Sequence, residues 1–143
     1  MSREIKFRAW DKTYNFMSYK VLVGNVDTKD ENYTAHCMWV EPESVDYKRE
    51  PGWMHFDELS DVVLMQYTGL KDKNSKEIFE GDLFKHPTGI IAEIEYAVEF
   101  AAYLAKYKLG ESYRRDLLDP LIASQCDVVG NKYEHPELLG ETA

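Results

Sequence analysis

The sequence predicts a mainly β protein, and three observations carry that expectation. Aromatic residues make up 13% of the chain, ten of them Tyr, and Tyr and Phe suit pleated, half-buried surfaces. Apolar and charged residues alternate with period two in several runs, most extensively from Ile90 to Phe100. Between those runs stand short polar segments of turn composition, among them Lys71 to Lys76 and His86-Pro87-Thr88-Gly89.

Each element follows in chain order. In Ile5-Lys6-Phe7-Arg8-Ala9-Trp10 the alternation puts Ile5, Phe7 and Ala9 on one face of a strand. Asp11 to Asn15 is turn chemistry and Phe16 to Val23 an apolar return, so residues 5–23 read as a hairpin. Tyr33 to Val40 reads as a short strand before a charged, Pro-punctuated stretch, and a subdomain boundary is expected near residue 56. That division gives 1–56 as an N-terminal β-hairpin subdomain and 57–143 as the main β domain. Val62 to Tyr67 is a β-branched and aromatic run, and residues 62–100 are expected to form an antiparallel meander turning at Asp72 to Ser75 and at His86 to Gly89. Gly81 suggests a bulge or a positive φ where a new strand begins. Asp82 beside it reads as a turn residue bonding its own backbone. Ile90, Ala92, Ile94, Tyr96, Val98 and Phe100 form the inward set, with Glu93, Glu95 and Glu99 facing water. Residues 97–109 fit a strand and hairpin, and also a helical stripe; the hairpin is the preferred reading. Leu117 to Ile122 is expected to make a helical turn broken by Pro120, Gln125 to Val129 a last strand, and Asn131 to Leu139 a docked tail.

The composition excludes several classes. The 143 residues carry a formal charge of −9, and it is uneven: residues 1–56 hold 8 Lys and Arg against 9 Asp and Glu, a net of −1, while residues 57–143 hold 9 against 17, a net of −8. A domain this acidic is repelled by phosphate backbones, so no direct binding of duplex nucleic acid is expected. The charged N-terminus lacks the apolar region of a secretory signal, and no apolar run approaches the ~18 residues of a membrane-spanning helix. A cytoplasmic protein is expected, without membrane partners. Cys37 and Cys126 lack zinc or redox spacing and read as buried reduced thiols.

Three blocks then become familiar: Ile5-Lys6-Phe7-Arg8-Ala9-Trp10-Asp11-Lys12, Leu64 to Asn74 with Glu77-Ile78-Phe79-Glu80-Gly81-Asp82, and Val129-Gly130-Asn131-Lys132-Tyr133-Glu134-His135-Pro136-Glu137-Leu138-Leu139. With these the sequence resembles the YopX-like family of phage and prophage proteins over nearly its whole length. The resemblance implies a β-rich architecture with an SH3-like barrel in the C-terminal part. It brings no catalytic residues, because the family's biochemical role is unknown. Two departures stand out. Ser75 replaces the usual turn Gly, and the stretch from Ala97 to Ala105 is richer in Ala than the charged strands of the family.

Candidate sites are few. The four histidines share no ligand spacing; His36 and Cys37 with Cys126 is the combination closest to a zinc site, and no metal or cofactor is expected. Glu77, Glu80 and Asp82 could serve acid–base hydrolysis, but no nucleophile, cationic clamp or phosphate cradle accompanies them. The mixture of aromatic and basic residues at the N-terminus makes Phe7, Trp10, Phe16 and Tyr19 a candidate interface, and the simplest cover for it is a second copy of the chain. The expected function is a noncatalytic accessory protein acting through a host or phage protein partner or through homo-oligomerisation. An alternative is an acidic inhibitor that mimics phosphates with Glu93, Glu95 and Glu99 and occupies a host nucleic-acid-binding protein. A carboxylate-based hydrolase is the weakest reading.

Overall fold

A computed structural model describes residues 3–12, 15–19, 21–24, 36–40, 54–58 and 62–140. The protein is mainly β, with twelve strands and one α-helix among the described residues. It divides into two compact units, Lys6–Met65, and Gln66–Ala143 with Met1–Ile5. Residue 56, where the sequence suggests a boundary, lies within a strand.

In the Lys6–Met65 unit, β1 (Phe7–Asp11) and β2 (Phe16–Ser18) form an antiparallel hairpin with Trp10 opposite Met17. Asn15, at φ 54°, donates its N–H to the Asp11 carbonyl at 2.9 Å and closes the turn. The expected return strand from Phe16 to Val23 is split. Polar Ser18-Tyr19-Lys20 interrupts the apolar run, β2 ends at Ser18, and β3 (Val21–Gly24) pairs instead with β4 (His36–Val40), which pairs with β5 (Met54–Glu58). β1 lies between β2 and β6 (Val62–Lys71). The expected alternation in β1 also gives way. Ala9 is buried, but Ile5 precedes the strand and is exposed, while Arg8 and Asp11 are both buried, as fits a central strand. Ala9 and Val62 centre a small core packed by Phe16, Val21 and Leu64.

In the other unit, the latter part of β6 pairs with β7 (Glu77–Phe79), with a register shift between Tyr67 and Lys71 that accommodates Gly69 at φ 89°. The remaining strands are β8 (Asp82–Lys85), β9 (Ile91–Ala97), β10 (Ala102–Leu109), β11 (Ser112–Leu117) and β12 (Asp127–Asn131). They form one antiparallel sheet in the order β11-β10-β9-β8-β12. The expected single meander over residues 62–100 is therefore divided between two sheets at Glu80-Gly81. Gly81 takes φ 84°, its N–H reaches the Ile94 carbonyl at 2.8 Å, and the buried Asp82 carboxylate accepts the Phe79 N–H at 2.8 Å. These contacts turn the chain sharply between β7 and β8, so the two do not pair with each other.

Two further expectations are corrected. Ala92 and Ile94 point into the core, but Tyr96, Val98 and Phe100 are 45%, 81% and 64% exposed. The alternation stops because the chain leaves the sheet in a 3-10 turn, Val98–Phe100, ending on Ala101 at φ 49°; β10 then returns along β9 as a hairpin. Pro120 starts a helix rather than breaking one. In α1 (Pro120–Gln125) the Asp119 carboxylate accepts the Ile122 N–H at 2.8 Å as an N-cap, and a proline in the first turn has no N–H to leave unpaired. The core gathers Ile78, Ile94 and Cys126 with Phe84, Ala92, Ala105, Leu118 and Ala123, each large apolar side chain contributing about 1.5–3 kcal/mol on burial.

Candidate functional site

Alanines on neighbouring strands leave room within that core. Residues directly opposed in an antiparallel pair share a face. Phe84 is opposite Ala92, Ala92 is opposite Tyr107, and Ala105 is opposite both Ile94 and Asp116. Where Val or Ile would fill the layer, the Ala92 and Ala105 methyls stop short, and a cavity of about 230 Å³ results. Phe84, Ile90, Ala92, Ala105, Ile122 and Cys126 give it apolar walls, and His86, Thr88, Tyr107 and Asp116 supply its polar groups. Thr88 and Asp116 are exposed and mark the mouth, whereas Cys126 is fully buried.

The polar groups are arranged in two pairs. Thr88 donates its backbone N–H to His86 Nδ1 at 3.2 Å, and its hydroxyl lies 2.8 Å from the same nitrogen. An N–H can only donate, so Nδ1 is the acceptor and the neutral ring carries its proton on Nε2. Across the mouth, the Tyr107 hydroxyl donates to Asp116 Oδ2 at 2.8 Å. That bond, chiefly, holds the Tyr107 phenol above its ordinary pKa, with desolvation and the Asp116 charge acting in the same direction and the Arg114 charge opposing them. Burial pushes the Cys126 thiol up as well, against a smaller opposing effect of Lys73. The reactive form of cysteine is the thiolate, so Cys126 serves this wall as a small apolar group. No hydrogen bond joins Cys126, His86 and Asp116 among the described residues.

A second hollow, of about 360 Å³, lies among Ile91, Glu93, Lys106, Lys108, Tyr113 and Leu138. The Lys106 ammonium stands 5.1 Å from the centre of the Tyr113 ring.

The residues singled out in the sequence fall elsewhere. Phe7, Trp10 and Phe16 are half-buried on the hairpin of the Lys6–Met65 unit, and Tyr19 is 61% exposed in the bend after it. Glu93, Glu95 and Glu99 each have a cationic neighbour. Arg115 donates to Glu95 at 2.8 Å and also to Glu99, and Lys132 lies 3.8 Å from Glu93. Glu93 and Glu95 are only 17% and 27% exposed, against 56% for Glu99. The hydrogen bond to Arg115 is also the main reason the Glu99 carboxyl lies below its ordinary range. Of the hydrolytic candidates, Glu80 accepts the Gln66 N–H at 3.0 Å and Asp82 that of Phe79, which commits both carboxylates to the backbone. The side chains of His36 and Cys37 lie outside the described residues, and no group of three or more potential metal ligands occurs among the described residues. No helix among them is long and apolar enough to cross a membrane.

Sequence reasoning missed the cavity. Its signal is alanine at inward positions of strands otherwise rich in larger side chains, visible only once the pairing of β8, β9 and β10 is known.

A family model described as YopX protein matches residues 6–140. The chain is also similar to the solved structure of protein EF1440 from Enterococcus faecalis, at 27% identity over 96% of this chain and 99% of that one, with a TM-score of 0.49. None of the curated proteins matches.

Proposed function

Because the chain belongs to the YopX family, whose name carries no reaction with it, the function has to be argued from the site, and we propose a noncatalytic accessory protein that works by binding a protein partner through the cavity of its C-terminal sheet. The observation that carries this reading is the pairing of apolar walls with a small polar mouth. Cavities of this kind bind by burying apolar surface and orient the ligand with a few polar groups. An engineered apolar cavity of ~150 Å³ is known to take up benzene, so the volume here suits one ring or one long apolar side chain. Reaction chemistry has less support. Burial raises the pKa of the thiol, no hydrogen bond joins the imidazole to it or to Asp116 among the described residues, and Glu80 and Asp82 each accept a backbone amide.

The phosphate-mimic alternative is weakened by the same kind of argument, since a mimic needs unengaged carboxylates and Arg115 and Lys132 engage the three candidates. Action in the host cytoplasm, a phage context and self-association belong to this proposal as expectations drawn from the sequence. Indole titrated into ¹⁵N-labelled protein should shift the amides of Phe84, Ala92, Ala105 and Asp116 with a saturable dependence. Absence of saturation would overturn the cavity as a binding site. Turnover of nitrophenyl esters that disappears in Cys126→Ser would overturn the noncatalytic assignment.

A further inference from the structure

The cavity mouth borders an open sheet edge. β11 is the terminal strand of its sheet, all six of its residues are exposed, and among the described residues nothing pairs with its outer side. Such an edge presents unpaired N–H and C=O groups to any extended chain that approaches. Asp116, which lines the cavity, is a residue of this strand, and it shares a face with Ala105 of the cavity wall. Arg114, two residues earlier, stands on that face as well, opposite Tyr107. It is exposed and has no ion-pair partner among the described residues, unlike Arg115 on the opposite face with its two glutamates.

From this juxtaposition we propose that β11 accepts an extended peptide as an added strand, and that the peptide carries a long apolar residue opposite Asp116 and a carboxylate two positions away, opposite Arg114. The proposal rests on the cavity reading above and names its partner's chemistry. Register supplies the spacing: residues two apart on a strand lie on one face, so the positions opposite Asp116 and Arg114 both project toward the cavity side. Strand spacing supplies the size of the anchor. An added strand lies about 4.8 Å beyond β11 and therefore about 9.6 Å from β10. Of the apolar side chains, only ones as long as Met, Phe or Trp pass Asp116 to reach Ala105. Asp116 leaves one oxygen for the incoming chain, since its Oδ2 is taken by Tyr107. Main-chain pairing gives such complexes affinity, and side-chain pockets give them specificity. Charge fixes the second position, because the exposed Arg114 guanidinium favours a carboxylate and opposes a lysine there.

A library of random dodecapeptides displayed and selected on the intact protein tests the motif. Enrichment of Phe, Trp or Met with Asp or Glu two residues away is expected; no enrichment, or enrichment of Lys or Arg at the second position, overturns the proposal. The enriched peptide, labelled with fluorescein, is then measured by polarisation. N-methylation of its alternate amides in one register should weaken binding at least tenfold, while methylation in the other register should not. Arg114→Glu should weaken it at least fivefold and be rescued by a Lys-containing peptide. If both methylated registers bind like the parent, strand addition is wrong. If Ala105→Phe, which fills the cavity, or competition by indole where that variant does not fold, still abolishes binding, the cavity reading survives that failure. If neither has any effect, the cavity reading fails with it.

Discussion

Asp72 offers the sharpest test of how the cavity is held in shape. Its carboxylate is buried and accepts three backbone N–H groups: those of Asn74 and Lys76 on Oδ1 at 2.8 and 2.9 Å, and that of Val128 on Oδ2 at 2.9 Å. One residue on, the Lys73 N–H donates to the Cys126 carbonyl at 3.0 Å, so the turn between β6 and β7 clasps the start of β12 beside the cavity wall. Asp72→Asn keeps one oxygen for the turn but places an NH₂ group against the buried Val128 N–H, donor facing donor. An unmet buried donor costs about 1–3 kcal/mol. Asp72→Ala frees all three amides, two of which can find water, for a loss of about 2–4 kcal/mol. With a urea slope near 2 kcal/mol/M, the midpoint should drop on the order of 1 M in either variant, and the Val128 amide should lose exchange protection. The pH dependence follows the same carboxylate. Burial pushes its pKa up, but the amides of Val128, Lys76 and Asn74, with the Lys76 charge, outweigh burial and leave it below the ordinary value. A depressed folded-state pKa stabilises above the unfolded value, ~3.9, and that contribution disappears as pH falls through the folded value. Wild type should therefore lose stability below about pH 4 more steeply than Asp72→Asn. An unchanged urea midpoint and an unchanged acid limb in Asp72→Asn would refute the clasp.

Three other expectations follow from local geometry. A Cβ at Gly130 would lie 2.6 Å from His135 Nδ1 and 2.8 Å from its Cγ, and Nδ1 accepts the Asn131 N–H, so Gly130→Ala should cost about 1–3 kcal/mol and speed proteolysis of the tail; unchanged proteolysis would sink this. Ser75 holds φ 64°, so Ser75→Gly should relieve roughly 1–2 kcal/mol of left-handed strain, less the ~0.5–1 kcal/mol that glycine loses in chain entropy. A lower melting temperature would contradict it. In a Cys37→Ser background, iodoacetamide at pH 7.5 should alkylate Cys126 far more slowly than a free thiol, with full reaction in urea; equal rates would show that the wall is open.

The part of the fold that was legible in the sequence is the part decided by local rules. Alternation over Ala92 to Ile94, the turn chemistry of Asp72 to Ser75, and the positive φ of Gly81 depend on the residues themselves and their near neighbours, and the structure has them where the sequence places them. Errors arise where pairing decides. Nothing local says that Phe16 to Val23 serves two sheets, or that β7 and β8 part company at Gly81. Pro120 differs for another reason: the same ring that breaks a helix interior is well suited to its first turn, and Asp119 before it, as N-cap, decides for the first turn.

The site was less legible than the fold because a cavity is an absence. Ala92 and Ala105 look like ordinary inward residues until β9 and β10 are laid side by side, when two small side chains prove to occupy one layer. The acidic face shows the converse. Glu93, Glu95 and Glu99 look like unbalanced charge because their partners, Lys132 and Arg115, are distant in sequence and reach them only through tertiary structure. Arg114 completes the contrast. It sits beside Arg115 in sequence, yet strand alternation sends the two guanidinium groups to opposite faces. One pairs with Glu95 and Glu99, and the other stands beside the cavity with no ion-pair partner among the described residues.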